Sequence, residues 1–303
     1  MRVISCKFCF ESVKMSLLVT IILWLIISTF SAQAQQLAPF KDAEFAYPGF
    51  IGPSADPLNL TIDYNEMRDI NARDEVPEKH VKAPWLDLSV RRAEQDVGVE
   101  GEGGTMRTIA TGAQDNATFI VVYLHGQGGN RKQGSNDLTF GGNFNRIRNL
   151  AALNGGLYLT PDFSDFGDKG GSQVKAIISA FLTKSPNAKL VVACGSMGGY
   201  LCHRLAKDAN IGPRLSGMMF LGSFSDSDFT KSIAFKGGLP VFIGHGSEDK
   251  TSPIQGMADF AGTLRKSGGK GRVMFHRFET GTHGTPIRMF DWRLVLNWMF
   301  AKV

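Results

Sequence analysis

Several short runs of the chain are apolar at nearly every position rather than at every second one. The clearest is Phe119–Leu124, which reads FIVVYL. A strand buried on both faces has this texture. Leu157–Thr160, Leu190–Ala193, Met218–Leu221, Val241–Ile243 and Val273–Phe278 repeat it. Between them the period changes to that of helices, over Asn143–Leu153, Ser172–Lys184, Gly199–Ala209, Gln255–Ser267 and Pro286–Phe300. In Gln255–Ser267 the apolar residues Met257, Phe260, Ala261 and Leu264 fall at three/four spacing, and Gly268-Gly269 stops the helix. Ahead of these units, Asp87–Val99 and Thr105–Thr111 alternate weakly around the turn Gly101-Glu102-Gly103-Gly104, which predicts an antiparallel pair. The alternation of strands and helices predicts an α/β fold: a mainly parallel sheet with right-handed crossovers and helices on both faces.

Residues 35–85 break the rhythm. They hold Pro39, Pro48, Pro53, Pro57, Pro77 and Pro84 with little periodicity. An irregular N-terminal extension that wraps or tethers a domain is expected there, leaving residues 86–303 as one domain. Residues 1–34 read as a signal peptide. Arg2, Lys7 and Lys14 precede the apolar run Leu17–Ile27, and Ala32-Gln33-Ala34 fits the small-x-small cleavage rule. The alternative is an uncleaved membrane anchor, but Met15–Phe30 has 16 residues and a spanning helix needs about 20. Export to a periplasm or to the outside is the expectation.

Composition narrows the class. The chain is 43% hydrophobic and 20% charged, an ordinary globular mixture with 35 glycines among 303 residues. Such a glycine excess, against a usual share of about 7%, suits a fold with many tight strand-to-helix turns. The formal charge of +5 falls to +3 once Arg2, Lys7, Lys14 and Glu11 leave with the leader. No basic run resembles a nucleic-acid arm. Cys6 and Cys9 leave too, so Cys194 and Cys202 remain. An exported protein could pair them. Their positions, at a strand end and in the next helix, look poor for a bridge, and two buried thiols are expected. No zinc-type Cys/His spacing occurs, so no metal or other cofactor is expected.

Three loops fall at the C-terminal ends of predicted strands, where parallel sheets place their sites. The first is Cys194-Gly195-Ser196-Met197-Gly198-Gly199-Tyr200. A sharp strand-to-helix turn lifts a serine hydroxyl clear of the backbone, and only small neighbours tolerate the crowding. G-x-S-x-G asks for glycine where Cys194 stands, although smallness is the physical need. A plain Gly/Ser turn is the alternative. The Met197 N–H would point at a developing oxyanion. The second loop is His125-Gly126-Gln127-Gly128-Gly129-Asn130. Its Gln127 N–H is the second candidate oxyanion donor, and His125 reads as a packed turn residue. A phosphate loop would need Gly-Lys-Ser/Thr, which does not follow.

The third element joins Gly244-His245-Gly246-Ser247-Glu248-Asp249 to Gly281-Thr282-His283-Gly284. A serine needs an imidazole to take its proton, and the imidazole needs a carboxylate on its other nitrogen. Ser196, Asp249 and His283 fill these roles in chain order. Glu248 is the rival acid. His80, His203 and His276 lack the loop context, and His245 is expected to brace its turn. Arg131 and Lys132, just past the oxyanion loop, either meet an anionic group or are simply solvated.

Taken together, from about Leu86 onward, the chain resembles an α/β-hydrolase. The likeness rests on His125-Gly126 after a buried strand, Gly195-Ser196-Met197-Gly198-Gly199 at an elbow, His245-Gly246-Ser247-Glu248-Asp249 with Pro253 after it, and Gly281-Thr282-His283-Gly284. It implies a mostly parallel eight-stranded sheet and a Ser-His-Asp triad. Gly222–Leu239, where relatives often insert a cap, has only 18 residues, so an open cleft follows. The expectation is hydrolysis of a small or polymer-borne carboxylic ester, with room for transient contact with a membrane or envelope. A peptidase similar to the prolyl-oligopeptidase catalytic domain and a non-catalytic binding module on the same fold are the alternatives.

Overall fold

The computed structural model of the protein describes residues 36–52, 56–77, 80–101 and 104–302. The leader read in residues 1–34, and the anchor that is its alternative, lie outside the described residues. Nine strands build the central sheet. They are β1 (Asn59–Ile62), β2 (Glu94–Gly101), β3 (Gly104–Gly112), β4 (Phe119–Leu124), β5 (Leu157–Pro161), β6 (Lys189–Gly195), β7 (Leu215–Leu221), β8 (Val241–Gly246) and β9 (Val273–Phe278). Their order across the sheet is β1-β9-β8-β7-β6-β4-β5-β3-β2. The pair β2–β3 is antiparallel, as is β3–β5, and every other neighbour is parallel.

Helix α1 (Glu66–Arg73) follows β1, and the longer helices that pack on the sheet are α2 (Asn143–Leu153), α3 (Asp168–Lys184), α4 (Gly198–Lys207), α5 (Ile254–Leu264) and α6 (Trp292–Phe300). Each central strand serves two cores because successive side chains point to opposite faces. In β4, Ile120, Val122 and Leu124 pack with α3, α4 and α5, whereas Phe119, Val121 and Tyr123 pack with α2 and α6.

The expected sheet of eight strands therefore has a ninth. It comes from the segment expected to be irregular. Within residues 36–85, β1 lies parallel to β9, with Asn59 opposite Phe275 and Ile62 opposite Phe278. An edge strand needs only one buried face, and here Leu60 and Ile62 supply it. The four-residue pattern was too short to stand out among prolines. Helix α1 follows, capped by the Asn65 side chain, which accepts from the Arg68 N–H at 3.0 Å. The segment also wraps the domain. Asp42 bridges buried Arg146 at 3.2 Å and Arg293 at 2.6 Å, and the Arg146 guanidinium lies 4.8 Å from the Phe45 ring.

Two further boundaries differ from expectation for local reasons. Leu88–Ala93 is a 3₁₀ helix whose start is capped by Asp87, so the first antiparallel strand begins at Glu94 rather than Asp87. Pro286–Phe300 is two helices, Thr285–Met289 and α6, because Asp291 starts a new one by accepting from the Leu294 N–H at 3.1 Å. Between β7 and β8 the chain makes only a 3₁₀ turn (Phe229–Lys231) and a short helix (Ile233–Lys236). No cap domain is inserted between them. Among the described residues, no helix is long and apolar enough to cross a membrane.

Candidate active site

Ser196 follows the last residue of β6 and precedes α4. Its N–H donates to the Leu221 carbonyl at 3.1 Å, extending the β6–β7 ladder by one bond. Its φ is then 50°, a left-handed conformation that costs a non-glycine residue about 1–3 kcal/mol. The surroundings hold it there. The Ser196 carbonyl accepts from the Gly199 N–H at 3.0 Å and from Ser223 Oγ at 2.8 Å. A Cβ on Gly199 would overlap Ser223 Oγ, so this tight turn requires glycine there.

Cys194 and Cys202 correct the expectation of two free thiols: they form a disulfide. The strand end and the second turn of α4 come closer than their positions in sequence suggested, with Cα atoms 6.4 Å apart, inside the normal range for a bridge. The covalent ring closes around Ser196.

His283 reaches Ser196 from the loop after β9. Its Nε2 lies 2.8 Å from Ser196 Oγ, and its Nδ1 lies 2.7 Å from Asp249 Oδ2. Asp249 stands in the loop after β8, where its Oδ1 accepts from the Thr251 and Ser252 N–H groups at 2.9 Å each. Burial pushes the Asp249 carboxyl up, but hydrogen bonds from His245, His283 and Ser252 outweigh it and hold the group well below the usual carboxylate range. The rival acid Glu248 is exposed, and Asp249 is the carboxylate that meets the imidazole.

The other histidines have structural partners or lie apart. His245 Nε2 donates to the Ser252 carbonyl at 2.6 Å and stands 3.3 Å from Asp249 Oδ2, so it braces the acid's turn. His203 Nε2 donates to the Phe224 carbonyl, and His276 is bonded to Tyr47. His80 is exposed in a short ribbon away from the sheet. His125 stacks on Phe163 with ring centroids 4.1 Å apart, and burial pushes its imidazole pKa down.

The loop His125–Asn130 lies against Ser196 at Gly126. A Cβ there would come within 2.8 Å of Ser196 Cβ and 3.3 Å of Oγ, so a side chain would push the loop away. Neither the Gln127 N–H nor the Met197 N–H has a hydrogen-bond acceptor among the described residues. Arg131 is engaged by Asp96 at 2.9 Å and Asp162 at 2.5 Å, which removes it as a free anion receptor, while Lys132 is exposed.

Sequence reasoning missed Ser223 and Ser252. Ser252 Oγ donates to the Ser223 carbonyl at 2.7 Å, and Ser223 Oγ bonds the Ser196 carbonyl. The acid loop and the elbow are thereby tied together through two buried serines. Isolated serines in loops carry no motif that could have announced this.

No family model matches the chain, and no curated protein matches it. Solved structures do. A thermostable esterase superposes with TM-score 0.57 at 16% identity, over 71% of this chain and 64% of that one. An α/β serine hydrolase without a lid from Xanthomonas campestris gives 0.50 at 15%, over 71% and 96%. An acylaminoacyl peptidase of Pyrococcus horikoshii gives 0.50 at 13%, over 69% and 41%. This chain thus spans under two thirds of that esterase and less than half of that peptidase. Together with the strand order and the open strand ends, these likenesses identify the fold as that of the α/β-hydrolases, without a large cap.

Proposed function

We propose that the protein is an exported serine hydrolase that cleaves carboxylic esters through an acyl-enzyme. The observation that carries this is the continuous hydrogen-bonded line from Ser196 Oγ through His283 to Asp249, at 2.8 and 2.7 Å. With Nδ1–H donated to Asp249, Nε2 is free to take the Ser196 proton as Oγ attacks the ester carbonyl. The tetrahedral oxyanion is held by the Met197 and Gln127 N–H groups, each such donor supplying roughly 3–4 kcal/mol. His283 then returns its proton to the leaving alkoxide, and the alcohol departs. In the second half, Nε2 takes a proton from water, hydroxide oxygen attacks the acyl carbon, and Ser196 is re-protonated as the acid leaves. Asp249, kept ionised, stabilises each imidazolium.

Export is supported by the leader-like residues 1–34 and by the Cys194–Cys202 bridge, since such bonds persist in oxidising compartments. A bulky or polymer-borne ester is admitted because no cap domain is inserted between β7 and β8. The test is a panel of esters, thioesters and peptide amides given to the wild-type protein. Ester hydrolysis exceeding amide hydrolysis supports the reading. Faster amide hydrolysis makes the protein a peptidase. No turnover together with no fluorophosphonate labelling makes it a binding module.

A further inference from the structure

Thr280 lies between the end of β9 and His283, and its backbone has a φ of 52°. Left-handed backbone is uncommon for any residue but glycine, and a β-branched side chain there is a true outlier. Thr280 is exposed, so burial of its side chain does not account for the choice. What the side chain does make is one directed bond: Oγ1 donates to the Tyr64 carbonyl at 2.9 Å. The Thr280 N–H donates to Ser247 Oγ at 2.8 Å. A single strained residue therefore joins the histidine loop to two other segments. Ser247 stands in the loop after β8, two positions before Asp249, and Tyr64 lies two positions beyond β1.

Other bonds run alongside. The Glu279 N–H donates to the Ile62 carbonyl at 3.0 Å, and the Glu248 N–H donates to the Gly281 carbonyl at 2.8 Å. A Cβ on Gly246 would come within 2.3 Å of that same Gly281 oxygen, so the acid and histidine loops lie in backbone contact. Beyond His283, the helix Thr285–Met289 is held from the same side as Thr280. Arg288 Nη1 pairs with buried Asp74 at 2.5 Å, and the Arg288 carbonyl accepts from Arg73 Nη1 at 3.0 Å. Residues from Ile62 to Asp74 thus grip the chain both before and after His283. The Glu279 bond is made by backbone alone and survives any side-chain change. The Thr280 bond depends on one hydroxyl.

We infer that Thr280 is a positioning residue for His283: its hydroxyl, bonded to the Tyr64 carbonyl, fixes the loop that presents the imidazole to Ser196 and Asp249. The inference rests on the ester-hydrolase reading above and deepens it, by giving the segment around β1 a part in aligning the base. Proton transfer from Ser196 Oγ needs Nε2 within hydrogen-bond reach, and a misplacement of about 1 Å can lower a rate roughly 10²-fold. Glycine at position 280 would relieve the backbone but has no hydroxyl to donate. Strain of this kind persists where the surroundings hold it, and it gathers at functional sites.

Three variants test it. Thr280→Val removes the hydroxyl at nearly constant shape, Thr280→Gly removes it while suiting the backbone, and Thr280→Ser keeps it. For each, kcat and KM on one simple ester are measured together with the urea midpoint. The valine and glycine variants are expected to lose about tenfold in kcat with KM nearly unchanged, and Thr280→Ser to recover kcat to within about twofold of wild type. The glycine variant separates alignment from folding, because a merely structural threonine would lower the midpoint and leave kcat alone. Should Thr280→Val fail to fold, Thr280→Gly decides. Wild-type kcat in Thr280→Gly, equal losses in Thr280→Ser and Thr280→Val, or a change confined to KM overturns the inference while leaving the hydrolase reading intact. If wild type turns over no ester, that reading fails by itself, and proton NMR of the His283 Nδ1–H decides the alignment separately. Slower solvent exchange in wild type and Thr280→Ser than in Thr280→Gly supports it, and equal exchange in all three overturns it.

Discussion

The side chain of Ser223 holds the backbone of Ser196: its Oγ donates to the Ser196 carbonyl at 2.8 Å, at the one non-glycine residue of the elbow with a φ of 50°. Ser252 holds Ser223 in the same way and also donates its N–H to Asp249. Movement of the acid loop is therefore felt at the nucleophile. Replacing Ser223 with alanine removes a buried bond worth about 1 kcal/mol and leaves a carbonyl short of a donor. The expected result for Ser223→Ala is a kcat lowered about tenfold with KM nearly unchanged, because the loss is in aligning Oγ rather than in contacting substrate. Steady-state kinetics on one ester read both parameters. A rise in KM at constant kcat would assign Ser223 to binding instead.

Asp249 and Glu248 are neighbours in sequence but not in environment. Asp249→Asn keeps the shape while offering a donor where an acceptor is needed, so the imidazole takes the wrong tautomer. A loss of roughly 10⁴ in kcat is expected. Glu248→Gln, at an exposed position, should stay within about twofold, as surface substitutions usually do. Measuring both variants on the same ester separates the two carboxylates.

The Cys194–Cys202 bridge closes a loop with a sequence separation of 8. Chain-entropy bookkeeping gives such a loop about 2–3 kcal/mol of stability. Urea unfolding of the Cys194→Ala/Cys202→Ala variant should show that loss relative to the oxidised wild type. Addition of reductant should lower the wild-type midpoint and leave the variant unmoved. Midpoints insensitive to reductant in both proteins would mean that the bridge does not form.

His276 lies fully buried in β9, with Tyr47 Oη 2.9 Å from its Nδ1. Burial pushes its pKa down to about 4. The folded protein therefore binds this proton less readily than the unfolded chain, whose histidine titrates near 6.5. Its contribution to stability is complete above about pH 6.5 and is lost as the pH falls towards 4. Between pH 6.5 and 5 the loss is about 2 kcal/mol. His125 and His203 are shifted the same way by burial, so the comparison is with His276→Gln. Its urea midpoint should depend less steeply on pH over that window. An identical slope would show that His276 is not held neutral.

Much of this fold was readable because both faces of its central strands are buried. Phe119–Leu124 and Val273–Phe278 have the expected ends, as does the helix Asn143–Leu153. That Ser196, His283 and Asp249 come together was readable because each falls in a loop at a strand end, among small residues. What escaped was set by tertiary contact. Strand β1 exists because Leu60 and Ile62 find a face of the domain to cover, not because Asn59–Ile62 has a strong local preference. The cysteine bridge depends on how β6 and α4 approach, which spacing alone does not report. The ring pair His125–Phe163 joins residues separated by loops, and the serine tether runs through hydroxyls that look like any other loop serine.

The central claim is that Ser196 is a nucleophile activated by His283, and one comparison tests it most directly. Wild type and Ser196→Ala are assayed on a simple ester, with fluorophosphonate labelling of each followed by mass spectrometry. Label is expected on Ser196 in wild type and none at this site in the variant, with a loss of roughly 10⁴–10⁶ in kcat. Full ester hydrolysis by Ser196→Ala, or a wild-type label carried by another residue, would contradict it.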